Sequence, residues 1–68
     1  EGTHGSAKWK ESKKMYKKGC DADEDAACYM FGQISYKEGR QKKAIKYYKQ
    51  ACKMGNKGGC AKAKRLAR

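Results

Sequence analysis

The alternation of apolar and polar positions divides the chain into four amphipathic helical stretches joined by short links. From Ala7 to Lys18, Trp9, Ser12, Tyr16 and the following Cys20 recur at helical spacing, while Lys10, Lys14 and Lys17 occupy another face. Gly19 is expected to help stop this first helix. Four of the seven acids then cluster in Asp21-Ala22-Asp23-Glu24-Asp25. A second helix is expected to open there, because negative charge interacts favourably with the unpaired amides of a helix N-terminus. It runs to about Lys37 along an apolar line of Ala27, Cys28, Phe31 and Ile34, with Gly32 small enough to admit another helix closely, and Glu38-Gly39 forms the turn. The third helix, from about Arg40 to Met54, places Ala44, Ile45, Tyr48, Ala51 and Cys52 on one side and Lys42, Lys46, Lys49 and Lys53 on another. Gly55 ends it, Asn56 to Gly59 reads as a link, and a shorter fourth helix from Cys60 carries Leu66. Connections this short predict antiparallel neighbours.

The pattern repeats. Lys14-Met15-Tyr16-Lys17-Lys18-Gly19-Cys20 returns 32 residues later as Lys46-Tyr47-Tyr48-Lys49-Gln50-Ala51-Cys52. On that offset Tyr16 falls on Tyr48, Cys20 on Cys52, Cys28 on Cys60 and Ile34 on Leu66. A period in the low thirties marks stacked helical hairpins, each covering the apolar face of the next. The expected fold is therefore all-α, a solenoid of α/α hairpins with about four helices. Residues 7–68 form that repeat domain, and the small polar tail 1–6 stands outside it as a frayed end or an appended remnant.

Composition adds constraints. Sixty-eight residues make one domain that buries too little surface to rest on apolar contacts alone. Four cysteines in that length, without a histidine cluster, read as two disulfide staples, which persist outside the reducing cytosol. No signal peptide or membrane-spanning run is visible, and the opening at Glu1 reads as a mature or excised piece. Proline is absent and lysine and alanine abound, which favours helix throughout. Eighteen basic against seven acidic residues give +11, a charge that draws a small protein toward acidic surfaces.

Between Cys28 and Cys52 stand Phe31-Gly32, Tyr36, Gly39, Ala44-Ile45, Tyr47-Tyr48 and Ala51. This pattern resembles a tetratricopeptide repeat, where an aliphatic-glycine pair, a turn glycine and an alanine-tyrosine-alanine series are the packing positions. A helix ending Tyr-Tyr-Lys-x-Ala-Cys, then a glycine-rich link and Gly-Cys, is similar to the Sel1-like repeats of the cysteine-rich secreted proteins of Helicobacter and its relatives. The resemblance covers residues 8 to 66 or so, as one full repeat flanked by two half repeats. The longer turn of Sel1-like repeats is missing, and Tyr36 to Arg40 is as tight as in a plain tetratricopeptide repeat. The resemblance implies that cysteines bridge the end of one repeat to the start of the next, joining Cys20 to Cys28 and Cys52 to Cys60, in a secreted or periplasmic protein.

Geometry sets a condition on that pairing. Residues eight apart in one continuous helix lie about 12 Å apart along its axis, beyond the roughly 7 Å between Cα atoms that a disulfide spans. A turn must intervene, and the Asp-rich link and the glycines after Cys52 provide one. The rival pairing, Cys20 with Cys60 and Cys28 with Cys52, would clamp two long antiparallel helices as in twin-cysteine hairpin proteins, but the glycines interrupt the helix it needs. A zinc site fits less well, since paired ligands normally lie two to four residues apart.

Catalytic chemistry finds little support. His4, the only histidine, lies in the tail between glycines and reads as inert. Asp21, Asp23 and Asp25 mimic the opening of a calcium loop, yet Ala26 stands where glycine is required and Gly32 where the bidentate glutamate is required. No serine, threonine or cysteine has the partners a nucleophile requires. Some cysteine-rich Sel1-like proteins are linked to β-lactam binding and weak β-lactamase activity, but neither Ser12-Lys13-Lys14-Met15 nor Ser35-Tyr36-Lys37-Glu38 has the Ser-x-x-Lys spacing. No cofactor, no metal and no enzymatic activity are expected.

Binding is the remaining expectation. Tyr29, Gln33 and Tyr36 step along one side of the second helix, and in tetratricopeptide-like proteins such positions face the concave groove that receives peptides. By the repeat, Ala61 and Arg65 continue that surface. The plainer reading is that the two tyrosines pack on Trp9 or coat a small protein, while Trp9, Tyr16 and Tyr48 are core. The stripe of Lys42, Lys46 and Lys49 with Lys53 either steers an acidic protein or peptide partner or holds nucleic acid, anionic lipid or anionic envelope polymers. A charged stripe opposite an apolar face is also what any soluble helix shows, and lysines occur on the first and fourth helices too.

Overall fold

The structure is a computed structural model that describes residues 7–67, with side chains from Lys10 to Ala67. The expectations for the tail 1–6, for His4 and for the Trp9 side chain lie outside the described residues. Four helices follow one another: α1 (Ala7–Asp21), α2 (Asp25–Lys37), α3 (Gln41–Lys53) and α4 (Lys57–Leu66). Each packs chiefly on its neighbours in sequence, as an α/α hairpin solenoid requires, in a slab of 32 × 27 × 14 Å.

The three joints between helices share one geometry. In each, the middle residue has positive φ: Asp23 at 65°, Gly39 at 83° and Gly55 at 98°. In each, the next residue's amide reaches five residues back, Glu24 to the Gly19 carbonyl, Arg40 to Ser35 and Asn56 to Ala51, at 2.9–3.0 Å. Asp23, Gly39 and Gly55 themselves donate to Cys20, Tyr36 and Cys52. This is the Schellman helix ending, which satisfies carbonyls that the last turn leaves open and turns the chain back in three residues. Glycine fits it without strain, and aspartate is among the few other residues that tolerate that region.

Two expected boundaries move for this reason. Gly19 does not stop α1, which runs on to Asp21 and ends at the Asp23 joint. Gly58 and Gly59 are not a link but the first turn of α4, because the Asn56 side chain caps that helix by accepting from the Gly59 amide at 2.8 Å. Asn56 also donates to Asp25 at the start of α2, 2.9 Å away. Of the clustered acids only Asp25 lies in the first turn of α2; Glu24 occupies the cap position without a side-chain capping bond.

The core follows the predicted apolar lines. Cys20, Ala27, Cys28, Phe31, Tyr47 and Ala51 form one buried cluster; Ala44, Tyr48 and Ala63 form another, with Tyr29 packed against both. Phe31 meets Tyr47 edge to face at 4.6 Å between ring centres, and Tyr29 meets Tyr48 tilted at 5.4 Å. Such pairs add about 0.5–1.5 kcal/mol each beyond the area they bury. Gly32 admits Tyr48, as expected: a Cβ there would stand 3.0 Å from the Tyr48 ring. Ile45 is only half-buried whereas Tyr47 is buried, because α3 is gripped from two sides rather than along a single line. Ser35 is fully buried and its hydroxyl has no hydrogen-bond partner among the described residues.

The disulfides are Cys20–Cys28 and Cys52–Cys60, with Cα atoms 4.4 and 4.5 Å apart, and no cysteine is free. This is the pairing the family resemblance implies, and it replaces the rival Cys20–Cys60 and Cys28–Cys52 arrangement. Both bridges span an outer joint, α1 to α2 and α3 to α4, while the central joint at Gly39 has none.

Candidate functional site

The surface divides by layer. On its two flanks, α1 holds six lysines against Glu11 and Asp21, and α3 holds five lysines and no acid. Between them α2 has a single lysine, Lys37, offset by Asp25. The net charge is therefore concentrated on α1, α3 and α4, and α2 presents a nearly neutral face.

Tyr29, Gln33 and Tyr36 do share that face of α2, but their surroundings differ. Tyr29 is half-buried, its ring against Tyr48 and over Gly58 at the start of α4. Gln33 lines a shallow depression of about 200 Å³ between α1 and α2, with Ser12, Tyr16, Met30, Ile34 and Lys37. Tyr36 is 50% exposed and, with Met15, is one of two large apolar side chains open to solvent among the described residues. Arg65 is exposed on α4. The depression was not anticipated from the sequence, though Met30, Gln33 and Lys37 sit at three- and four-residue steps that could have marked it.

The lysines separate likewise. Lys46 and Lys49 line one shallow depression on α3 with Gln50 and Lys53, whereas Lys42 lies near the central joint with Gly39, Arg40, Gln41 and Lys43. Among the described residues two cations lie over aromatic rings: Lys43 Nζ is 5.4 Å from the centre of Phe31 and Lys46 Nζ is 5.7 Å from that of Tyr47. Lys13 donates to both Glu38 carboxylate oxygens at 3.0 and 2.8 Å, a pair that ties α1 to the central joint.

Among the described residues two side chains titrate away from their ordinary values. The hydrogen bond from Lys17 to Asp21, helped by the carboxylate's charge, raises the lysine. Burial raises the Tyr48 phenol, with nearby Tyr29 and Tyr36 adding to the effect.

Among the described residues no group of three His, Cys, Asp or Glu could hold a metal ion, and no helix is long and apolar enough to cross a membrane. The architecture is a small α/α hairpin repeat with covalently closed joints. Residues 25–55, which comprise α2, the Gly39 joint, α3 and Gly55, match the family model described as tetratricopeptide repeat. Repeats of this kind generally mediate protein–protein interaction and are typically non-catalytic scaffolds. No curated protein and no solved structure matches the chain.

Proposed function

We propose that residues 7–68 form a non-catalytic interaction domain that binds an extended segment of a protein partner along the α2 face, through Tyr36, Gln33 and Arg65, with Tyr29 forming the wall behind them. The observation that carries this reading is the exposure of Tyr36. A half-open aromatic on an otherwise nearly neutral helix offers apolar area and a hydrogen-bonding tip to a peptide. Lys42, Lys46 and Lys49 steer an acidic partner toward the domain rather than contacting it closely. The bridged joints support placing the repeat with the cysteine-rich Sel1-like kind, and they support an oxidising location, secreted or periplasmic.

The reading is tested by panning a random peptide library against the oxidised protein and measuring the selected peptides by calorimetry. Tyr36→Ala and Arg65→Ala should each weaken binding at least fivefold. Tyr29→Phe, which keeps the ring on Tyr48, should change it less than twofold. Peptides that bind Tyr36→Ala and Arg65→Ala as well as the parent protein would overturn it.

A further inference from the structure

The flank opposite the proposed peptide face carries a second feature. The Phe31 ring of α2 closes the floor of a groove lined from α1 by Lys10, Lys13, Lys14 and Lys17, with a free volume of about 390 Å³. From α3, Lys43 reaches over the same ring, its Nζ 5.4 Å from the ring centre. Lysines that the sequence scatters over two helices are thus brought to one side of α2.

We propose that this groove binds a second ligand, an acidic extended polypeptide segment, independently of the α2 face. Three observations favour that occupant. Two of its lysines already hold carboxylates, Lys13 donating to both oxygens of Glu38 and Lys17 pairing with Asp21 at 3.1 Å, so lysines of this groove are placed at carboxylate reach. The remaining lysines on the walls, Lys10, Lys14 and Lys43, give a row of cations to a chain laid along it. Finally, the rings beneath are closed over, Phe31 at 3% and Tyr47 at 8% exposed. Single-stranded nucleic acid is held largely by stacking bases on open aromatic rings, and among the described residues the groove offers none. A lipid surface would need apolar side chains to insert, and among the described residues the groove offers only lysine stems above a Phe31 ring that is closed over.

The test titrates the oxidised full chain with a fluorescent ten-residue glutamate peptide, a ten-nucleotide thymidine strand and phosphatidylglycerol vesicles at fixed salt. The glutamate peptide should bind most tightly, with amide shifts in the spectrum centred on Phe31 and Tyr47. Lys10→Glu with Lys14→Glu should weaken it at least tenfold. Lys57→Glu with Lys64→Glu, an equal charge change on α4, should weaken it less than threefold, and circular dichroism checks that both variants keep their helices. Tyr36→Ala should leave it unchanged, which separates this site from the α2 face. Equal losses from both charge variants, tighter binding of the nucleotide strand or of vesicles, or no binding of the peptide would each overturn the proposal.

Discussion

Gly19 lies so near Ala27 that a methyl group on its Cα would stand 2.7 Å from the Ala27 Cβ. In the second half of the chain the same contact is made with the residues exchanged: Ala51 occupies the place of Gly19 and Gly59 that of Ala27, and a Cβ on Gly59 would stand 2.8 Å from the Ala51 Cβ. One glycine and one alanine therefore let each pair of helices approach beside its disulfide, whose Cα atoms are 4.4 and 4.5 Å apart. Only the sum of the two side chains is fixed.

This exchange can be tested directly. Gly19→Ala alone should lower stability by about 1–3 kcal/mol through overpacking, and adding Ala27→Gly should recover most of the loss. Gly59→Ala should cost at least as much, because its Cβ would also meet the Tyr48 carbonyl at 2.8 Å, and backbone does not yield. Chemical denaturation of these three variants and of Ala27→Gly alone measures both effects; additive losses in the double variant would show that the contact is not the cause.

Asp23 is the one middle residue of the three joints that is not glycine. Asp23→Gly should stabilise the domain by about 0.5–1 kcal/mol, since the left-handed backbone costs other residues energy that glycine does not spend. A rise in melting temperature is the expected readout. A fall would mean that the carboxylate makes a contribution outside the backbone.

Each bridge closes a ring over a sequence separation of 8 and contributes about 2.5 kcal/mol on the chain-entropy account. Both together approach the lower end of the total stability of ordinary domains, about 5 kcal/mol. Reduction should therefore abolish most of the helical circular dichroism at 37 °C, and Cys52→Ser with Cys60→Ser should lower the melting temperature by more than 10 °C. A reduced protein that keeps its helices and its cooperative melt would contradict this.

The buried phenol of Tyr48 predicts the alkaline limb. Its folded pKa is above the unfolded one, so the folded state retains the proton longer; that contribution is complete below about pH 10 and falls away as pH rises through the raised value. Stability should decline above pH 10, and Tyr48→Phe should decline less steeply over the same range. Parallel slopes for the two proteins would exclude the phenol as the cause.

Much of the fold was legible because it follows from spacing. The 32-residue offset, the line Ala27, Cys28, Phe31 and Ile34, and the turns at Gly39 and Gly55 all hold in three dimensions. The glycines misled where closeness rather than chain reversal was their role. The offset itself held the clue, since it aligns Gly19 with Ala51 and Ala27 with Gly59. Ser35 gave no sign of burial because its type is polar. On the candidate face, spacing placed Tyr29, Gln33 and Tyr36 together. Whether a ring lies down on Tyr48 or stands in solvent depends on how α2 is set against α3, which no single-helix pattern encodes.

The bridges at the two outer joints leave Gly39 as the single unreinforced seam. A chain severed there would come apart into two sealed clasps, residues up to the cut and residues after it, each still locked by its own sulfur pair. What holds the clasps together is non-covalent, chiefly the packing of α2 on α3, with Tyr29 against the start of α4 and the Asn56–Asp25 hydrogen bond, so the domain would be governed under such a break by the rules of a two-part complex rather than by those of a single strand.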